Sequence, residues 1–554
     1  MRYFPDYVSN YEEKIQLNIV NYKDSIISIN DEHQLSSLNR AFNTDIVCIN
    51  KNHALVSVQN VFRKEHYVTG ILMINSKVKY GCNKRNNPIY LFKSMDKKYP
   101  DFKVSSTIGK KTTKNQYVYI KFTSWRVTSS LPKGEIVQII GAVDSMDNIN
   151  NTILYLHHLY FKKYKKKIVL TEPTEVVNNL RIISIDPPGC TDIDDAFSVL
   201  DNVINIYLAD TTSVLLNNLS LFEYAKNQTT SIYSPNKTYH MLPESISTNS
   251  CSLLENKVRS ANVCQIIIEN NKIIDYYFFQ TSIKVTKNYS YEEIDQLYEE
   301  KEDEYIVNSL NLIDNIDFNY NSVNQDTLSH KCIEKLMVIV NHLSFLRLQY
   351  LKKDFIVRCH PTPDLNLENV PENLKNYYNL FLNKAATYTL NSESNFHYGL
   401  NIDGYTHFTS PLRRLVDSIN HLILFKDQTF SKEELQLLSD RCNSINKYAK
   451  KAEIEWRKLE LFDTLRESYN GFIISFSNNK VNFYIPELKL FLNYKLYHRK
   501  LEEFCTIEEE DNNIKLFFKG SLEEEYKLFQ PVTVIVHKRL EQDFIYKKLL
   551  FSIN

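Results

Sequence analysis

The stretch Asp186-Pro187-Pro188-Gly189-Cys190-Thr191-Asp192-Ile193-Asp194-Asp195 constrains this chain more than any other. It lies between two apolar runs that read as strands, Ile182-Ile183-Ser184-Ile185 and Ala196-Phe197-Ser198-Val199-Leu200. Proline fixes φ and glycine tolerates positive φ, so Pro-Pro-Gly forces a turn between the two strands. Four carboxylates are thereby gathered into one short loop, where like charges repel unless cations hold them together. Hard oxygen ligands suit magnesium, manganese or calcium rather than zinc. The last acid is followed by Ala196, and the glycine and spacing of an EF-hand calcium loop are missing. A D-x-D-D pattern on its own is more often a solvated acidic loop. The flanking strands and the rigid turn are what favour a magnesium-type site.

The second informative stretch is Tyr405-Thr406-His407-Phe408-Thr409-Ser410-Pro411-Leu412-Arg413-Arg414. Ser410 is a good N-cap and Pro411 a good first helical residue, so a helix is expected to begin here. The free N–H groups of that first turn, with Arg413 and Arg414, would make a phosphate cradle. Arg413, Asp417 and His421 fall at i, i+4 and i+8, on one face, and such a ladder can also be purely structural. An acidic metal loop and a basic helix N-terminus are together what phosphodiester hydrolysis needs. Metal activates water, and arginine neutralises the phosphoryl charge. Neither His407 nor His421 is then required as a base.

Net charge is zero over the 554 residues, which by itself gives no reason to expect a polyanion partner. The distribution does. Residues 51–170 hold 22 Lys and Arg against 6 Asp and Glu, whereas the remainder holds 44 against 60. That asymmetry is the footprint of a polyanion-binding module joined to other machinery. Aromatic residues are interleaved with the basic ones (Tyr90, Tyr99, Phe102, Tyr117, Tyr119, Phe122, Trp125), as in a stacking platform for single-stranded nucleic acid, although many of these rings will be barrel core.

Short alternating runs dominate residues 1–172, among them Ile46–Ile49, Ala54–Val58, Tyr117–Phe122 and Val137–Ile140. Even spacing with polar turns predicts small β-barrels, one over 1–65 and a basic one over 66–172. From 178 to 467 the pattern is mixed α/β. Hairpins are expected at Asp201-Asn202 and Asn270-Asn271, and an amphipathic helix carries Ile333, Leu336, Val340 and Leu343. A capping box at Ser431–Glu434 opens a second helix, whose stripe runs Leu435, Leu438, Cys442, Ile445, Ala449, Ala452, Trp456. Strands return over 468–554 as a terminal barrel. Mean hydropathy of −0.36 and the absence of any long apolar run leave no membrane span in the sequence. The N-terminus has neither a signal nor a transit pattern, and nine cysteines without a C-x-x-C pair fit a reducing compartment, so a cytoplasmic or other intracellular location is expected.

The run Ile185–Ala196 resembles the signature of the RNB exoribonucleases: ribonuclease II, ribonuclease R and the eukaryotic exosome-type enzymes. Its Pro-Pro-Gly-Cys wording is nearest the eukaryotic branch. Further matches follow in order: Leu208-Ala209-Asp210, Ser231-Ile232-Tyr233, Met241-Leu242-Pro243, Cys251-Ser252-Leu253, Arg259, Arg358-Cys359-His360-Pro361, His397-Tyr398-Gly399-Leu400 and the Tyr405–Arg414 motif. Leu38-Asn39-Arg40-Ala41 with Asp45-Ile46-Val47 is similar to the end of the family's first cold-shock barrel.

The resemblance implies a multidomain α+β fold. Two cold-shock-type OB barrels and one S1-type OB barrel would flank a central mixed α/β RNB catalytic domain. It also implies magnesium-dependent (manganese can substitute), hydrolytic, processive 3′→5′ degradation of single-stranded RNA to 5′-mononucleotides. Asp186, Asp192, Asp194 and Asp195 match the family's metal carboxylates, and Asp194 matches the one whose loss is least tolerated. Arg413 matches the arginine on the scissile phosphate, with Arg414 beside it. Tyr233 matches a tyrosine that stacks on the 3′-terminal base, and Glu453 a glutamate near the active site. Two leucines depart from the pattern, Leu415 where an aromatic residue is usual and Leu422 where an arginine is usual, and the stretch between His360 and His397 is short. These bear on channel fit and processivity rather than on the chemistry. The chain opens directly with the first barrel, so the PIN domain of exosome-type relatives is absent from the sequence. A monomer without exosome association is therefore expected. The competing readings are an RNB-like protein that binds RNA with weak or no cleavage, and a nuclease directed at DNA.

Overall fold

The structure, a computed structural model, describes residues 11–16, 18–21, 26–28, 42, 45–50, 55–59, 67–126, 128–159, 163–170, 173, 180–322, 327–362, 370–375, 385–392, 395–477, 480–495, 505–510, 513–518, 521–539 and 541–553. Contacts divide the chain into two units, Met1–Tyr160 with Lys451–Asn554, and Phe161–Lys450.

In the first unit five strands close into a barrel, in the order Lys133–Ala142, Phe102–Ser105, Ile89–Ser94, Tyr67–Leu72, Gln116–Ser124. Alternation puts Tyr90, Phe92, Phe102, Val104, Val118 and Ile120 inside, where Phe42 packs on them. Of the seven aromatic residues expected to form a stacking platform, Tyr90, Phe102, Tyr117 and Phe122 are buried. Tyr119 instead stacks on Tyr67, with ring centroids 5.4 Å apart, and Lys121 lies over the Tyr67 ring. Preceding this barrel are a three-stranded sheet, Tyr11–Gln16, Ile46–Asn50 and Leu55–Gln59, and a hairpin of Asn18–Asn21 with Ile26–Ser28. Leu38–Ala41 lies outside the described residues. The C-terminal strands form a five-stranded and a three-stranded sheet that share one core, with Ile473, Val481, Phe483 and Val534 from the first meeting Ile514 and Tyr526 from the second.

The second unit is built on a six-stranded sheet in the order Lys272–Lys284, Val258–Glu269, Val203–Ala209, Asp195–Leu200, Ile183–Asp186, Lys287–Ser290. Neighbours are antiparallel except the last pair, which is parallel. Both expected hairpins are present. Asp201 turns with φ +52°, and Asn270 and Asn271 both take positive φ, the geometry that suits the twist of a two-residue hairpin. The strand Val203–Ala209 is buried on both faces: Ile204, Ile206 and Leu208 join one core, Tyr207 and Ala209 the other. One face is covered by the helix Leu328–Tyr350 through Ile333, Leu336, Val340 and Leu343. The other is covered by Leu415–Lys426 and by the start of Lys432–Glu460, through Leu415, Ile419, Leu422, Leu435, Leu438 and Cys442. Leu422 is fully buried, so it serves this core. Among the described residues no helix is long and apolar enough to cross a membrane.

Candidate active site

The acidic loop connects two strands of a sheet covered on both faces, which fixes its ends. Asp186 closes the strand Ile183–Asp186 and Asp195 opens the strand Asp195–Leu200. Gly189 takes φ +77° with open space around it, and the Cys190 N–H bonds to the Pro187 carbonyl at 3.1 Å, which makes the expected turn. The far side of the loop is held by Ser252, whose hydroxyl accepts the Ile193 N–H at 2.9 Å and donates to the Thr191 carbonyl at 2.8 Å. Arg259 in turn donates to the carbonyls of Asn249 and Ser252. The role of Ser252 is plain only in three dimensions, because it acts on a loop some sixty residues away in the chain.

Asp194 is 4% exposed. One carboxylate oxygen accepts the Leu412 N–H at 2.8 Å and the other accepts Nε–H of Arg413 at 3.0 Å. Burial pushes its pKa up to about 7, against the pull of Arg413. Burial, with the nearby charge of Asp192 adding to it, pushes Asp186 up to about 6, and its Oδ2 is buried without a hydrogen-bond partner. Asp195 is raised well above the usual range by burial and then by Asp186 and Asp194. Asp192 accepts the Tyr233 hydroxyl at 3.3 Å and a weak bond from the Cys190 thiol at 3.7 Å, and His240 Nδ1 lies 3.8 Å from it.

Three raised carboxylates and an orphaned buried oxygen are the marks of missing positive charge, and an all-oxygen donor set is what a hard divalent cation takes. Among the described residues no three His, Cys, Asp or Glu side chains are grouped so as to hold a metal ion. That suits magnesium, which is commonly held by one or two carboxylates and completed by water and substrate phosphates. In donor chemistry Asp186, Asp192, Asp194 and Asp195 suit such an ion, which one or two of them would hold.

The arginine segment departs from expectation. The helix begins at Leu415, with Arg414 at its N-cap, rather than at Pro411. Thr230 forms an antiparallel bridge with Arg414 and Ser231 N–H bonds to the Arg413 carbonyl, so residues 411–414 are held as turns and extended chain. The Leu412 N–H is committed to Asp194 and is not free for a phosphate. The ladder is also repartnered. Arg413 reaches Asp194 and the Ser410 hydroxyl, while Arg414 pairs with Asp417 at 2.7 Å and Thr409 at 3.3 Å. Asp417 is fully buried and also accepts the Ser410 N–H at 2.7 Å. His421 is fully buried between Asn262 and the Phe408 carbonyl, its pKa pushed down to about 4 by burial. His407 is held neutral by burial and the two neighbouring cations Arg414 and Arg358. Both histidines are unsuited to general-base work at neutral pH.

The structure thus gathers Asp186, Asp192, Asp194, Asp195, Arg413 and Tyr233 around one loop. Tyr233 is 48% exposed, with its hydroxyl on Asp192 and its ring open. Glu453 is exposed on the helix Lys432–Glu460, in the part that belongs to the first unit. Sequence reasoning passed over Tyr291, whose hydroxyl feels Asp195 and Asp186 and whose ring stacks on His330 at 3.8 Å. It stands at the start of an ordinary capped helix, and no local motif marks it.

A family model described as "RNB domain" matches residues 175–325 and 306–426, and one described as "Dis3-like cold-shock domain 2 (CSD2)" matches 89–158. A curated relative, ribonuclease R of Chlamydia pneumoniae, is 24% identical over 386 residues, covering 56% of this chain and 57% of its own length. The chain therefore spans little more than half of such relatives. The structure resembles Mycoplasma genitalium RNase R in complex with ribose-methylated single-stranded RNA, with a TM-score of 0.75, 19% identity and coverage of 98% of this chain and 100% of that one. It also resembles yeast Ssd1, described as a pseudonuclease, with a TM-score of 0.67, 14% identity and coverage of 98% and 96%. At these identities the two structures speak for the fold alone. With its signature loop, its α+β core, its OB-type barrels and both family models in agreement, the chain carries an RNB domain over residues 175–426 and a Dis3-like cold-shock domain over residues 89–158.

Proposed function

We propose that this chain is a magnesium-dependent exoribonuclease that hydrolyses single-stranded RNA processively from the 3′ end and releases 5′-mononucleotides. The observation that carries the reading is the Asp194–Arg413 contact, which puts a buried metal-type carboxylate against the one loop arginine whose side chain remains 44% exposed. The polarity, the RNA preference and the product are drawn from the RNB domain and the likeness to ribonuclease R. We also take the domain order proposed from the sequence, two N-terminal barrels, the RNB domain over 178–467 and a C-terminal barrel, as the working division.

Magnesium bound among these aspartates would activate water and neutralise charge on the phosphoryl group. The chain's own residues do the positioning. Asp194 and the Ser410 hydroxyl fix the guanidinium of Arg413 from two sides, and its exposed part is available to a phosphoryl oxygen. A guanidinium fixed in advance stabilises developing charge without reorganising when the reaction occurs. Tyr233 offers an open ring for the terminal base while its hydroxyl orients Asp192. The basic barrel supplies attraction for the strand. A non-cleaving RNA binder is the second reading, favoured by the resemblance to a pseudonuclease fold. The presence of all four aspartates and Arg413 weighs against it.

The test uses 5′-labelled single-stranded RNA and matching DNA, with magnesium or EDTA. RNA should shorten from its 3′ end, and both EDTA and Asp194→Asn should abolish this while RNA binding persists. Internal fragments, or full activity in Asp194→Asn, would overturn the proposal. Binding without cleavage by the unaltered protein would establish the second reading.

A further inference from the structure

Behind the arginine turn, within the second unit, lies a cavity of about 230 Å³ lined by Thr229, Arg358, Tyr388, His407, Arg414 and Asn446, among others. Its lining is mixed: Leu415, Val416 and Cys442 supply apolar wall, and the polar side is made of hydrogen-bonding groups and two cations, with no carboxylate. Arg358 lies over the Tyr388 ring, 4.5 Å from the centroid, and among the described residues no carboxylate is paired with it. Arg414 has one carboxylate, Asp417, and its Nε–H is buried without a partner. The Thr229 hydroxyl is also buried without a partner, on a residue only 3% exposed. His407 accepts or donates one bond, to the Tyr388 hydroxyl at 2.7 Å, and burial together with the two arginines holds it neutral.

Two guanidiniums face this space against one carboxylate, so the lining carries a surplus positive charge. Buried donors are almost always satisfied in native proteins, and two unsatisfied ones on residues that line one cavity with two cations point to an acceptor-rich guest that a small side-chain adjustment would let them reach. The guest must be anionic to balance the charge and must offer several oxygens to reach both arginines and the threonine. We propose that this cavity is a binding site for a small tetrahedral oxyanion of the phosphate class, taken as inorganic phosphate or as the phosphate of a 5′-mononucleotide. It is separate from the cradle of Arg413, which faces Asp194. Such a site sits directly behind the arginine turn: Thr229 accepts the Leu415 N–H at 2.9 Å and Thr230 donates to the Arg413 carbonyl at 3.0 Å. Occupancy would therefore stiffen the segment that carries Arg413, and a phosphate-bearing product would act back on the site that released it. The binding claim holds whether or not the chain proves to be a nuclease, because it is read without RNA present.

The experiment is isothermal titration of the full-length protein, free of RNA and phosphate, with inorganic phosphate and with AMP at constant ionic strength. The probes are compared on the unaltered protein, Arg358→Met and Arg413→Ala. Saturable binding of at least one probe is expected, weakened roughly tenfold or more in Arg358→Met, the ratio that loss of one charge-assisted hydrogen bond gives, with the Arg358-dependent binding retained in Arg413→Ala. Phosphate and AMP binding alike would assign the phosphate group alone, whereas AMP binding by itself would assign a nucleotide; both support the site. If Arg358→Met does not fold, Asn446→Leu takes its place with the same expectation. No saturable binding, binding indifferent to Arg358→Met, or binding lost in Arg413→Ala would overturn the proposal. So would an oligonucleotide that binds in an Arg358-dependent way while phosphate and AMP do not.

Discussion

Thr229 is held in a conformation that its side chain resists, at φ +61° and ψ −31°, at the C-terminus of the helix Leu219–Gln228. A β-branched residue at positive φ is a true outlier, and such backbone strain costs of the order of 2 kcal/mol. Its buried hydroxyl without a partner adds a desolvation cost of about 1–2 kcal/mol. Thr229→Gly removes both. Against this stand about 1.5 kcal/mol for two lost buried carbons and roughly 0.5–1 kcal/mol for the freer unfolded chain. The cavity term is small, because the side chain already borders an open space. The balance is a stabilisation of about 1 kcal/mol, a rise of roughly 2–4 °C in the melting temperature of a unit this size. Urea titration and calorimetry in phosphate-free buffer would measure it, with Thr229→Ala expected in between because alanine loses the hydroxyl and keeps part of the strain. A Thr229→Gly protein that is less stable than the parent would refute the reasoning, and would mean that the hydroxyl or the methyl makes an interaction worth more than the strain.

Arg413→Lys keeps the charge but not the planar fork held by Asp194 and Ser410, and turnover should fall roughly 100-fold with RNA affinity little changed; equal turnover would show that fixed geometry is unimportant there. Magnesium should stabilise the unaltered protein by about 2.7 kcal/mol at a hundred times its dissociation constant, read as a rise in melting temperature, and should do so far less in Asp186→Asn or Asp194→Asn. His421 is pushed down to about 4 in the fold and titrates near 6.5 when unfolded, so the unfolded chain alone takes a proton between those values and stability falls as the pH drops from 6.5 towards 4. The loss totals about 3 kcal/mol. The raised carboxylates act in the opposite sense, so the check is the difference between the parent and His421→Gln in denaturation at pH 7.5 and pH 5; parallel losses in the two proteins would contradict the assignment.

Much of this architecture can be read from local chemistry. Pro-Pro-Gly dictates its turn whatever surrounds it, the paired asparagines at 270 and 271 dictate theirs, and the alternation over Ile89–Ser94 needs only the pleat of a strand. The stripe from Leu435 to Trp456 was legible for the same reason, being one helix with one apolar face. What could not be read is whatever depends on a distant partner. Ser410-Pro411 is a good helix start by every local rule, yet the bridge from Thr230 to Arg414 and the bond from Asp194 to Leu412 hold those residues out of the helix. Arg413 and Arg414 look equivalent in sequence. Only the positions of Asp194 and Asp417 give one to the loop and the other to a buried ion pair. Ser252 is marked in the sequence only as part of a resemblance and Tyr291 not at all, because a serine staple and a ring beside a carboxylate are ordinary residues until the chain folds.

Asp194 and Arg413 stand 219 positions apart. A ribosome adding roughly 5–20 residues per second needs on the order of 10–40 s to travel between them. During that interval the emerging chain presents a basic barrel and an acidic loop but no centre in which the two halves of the chemistry meet. The centre is thus incomplete on the ribosome until the segment at 410–417 has left the tunnel and can close against the loop. The timing of its assembly is written into the order of the sequence.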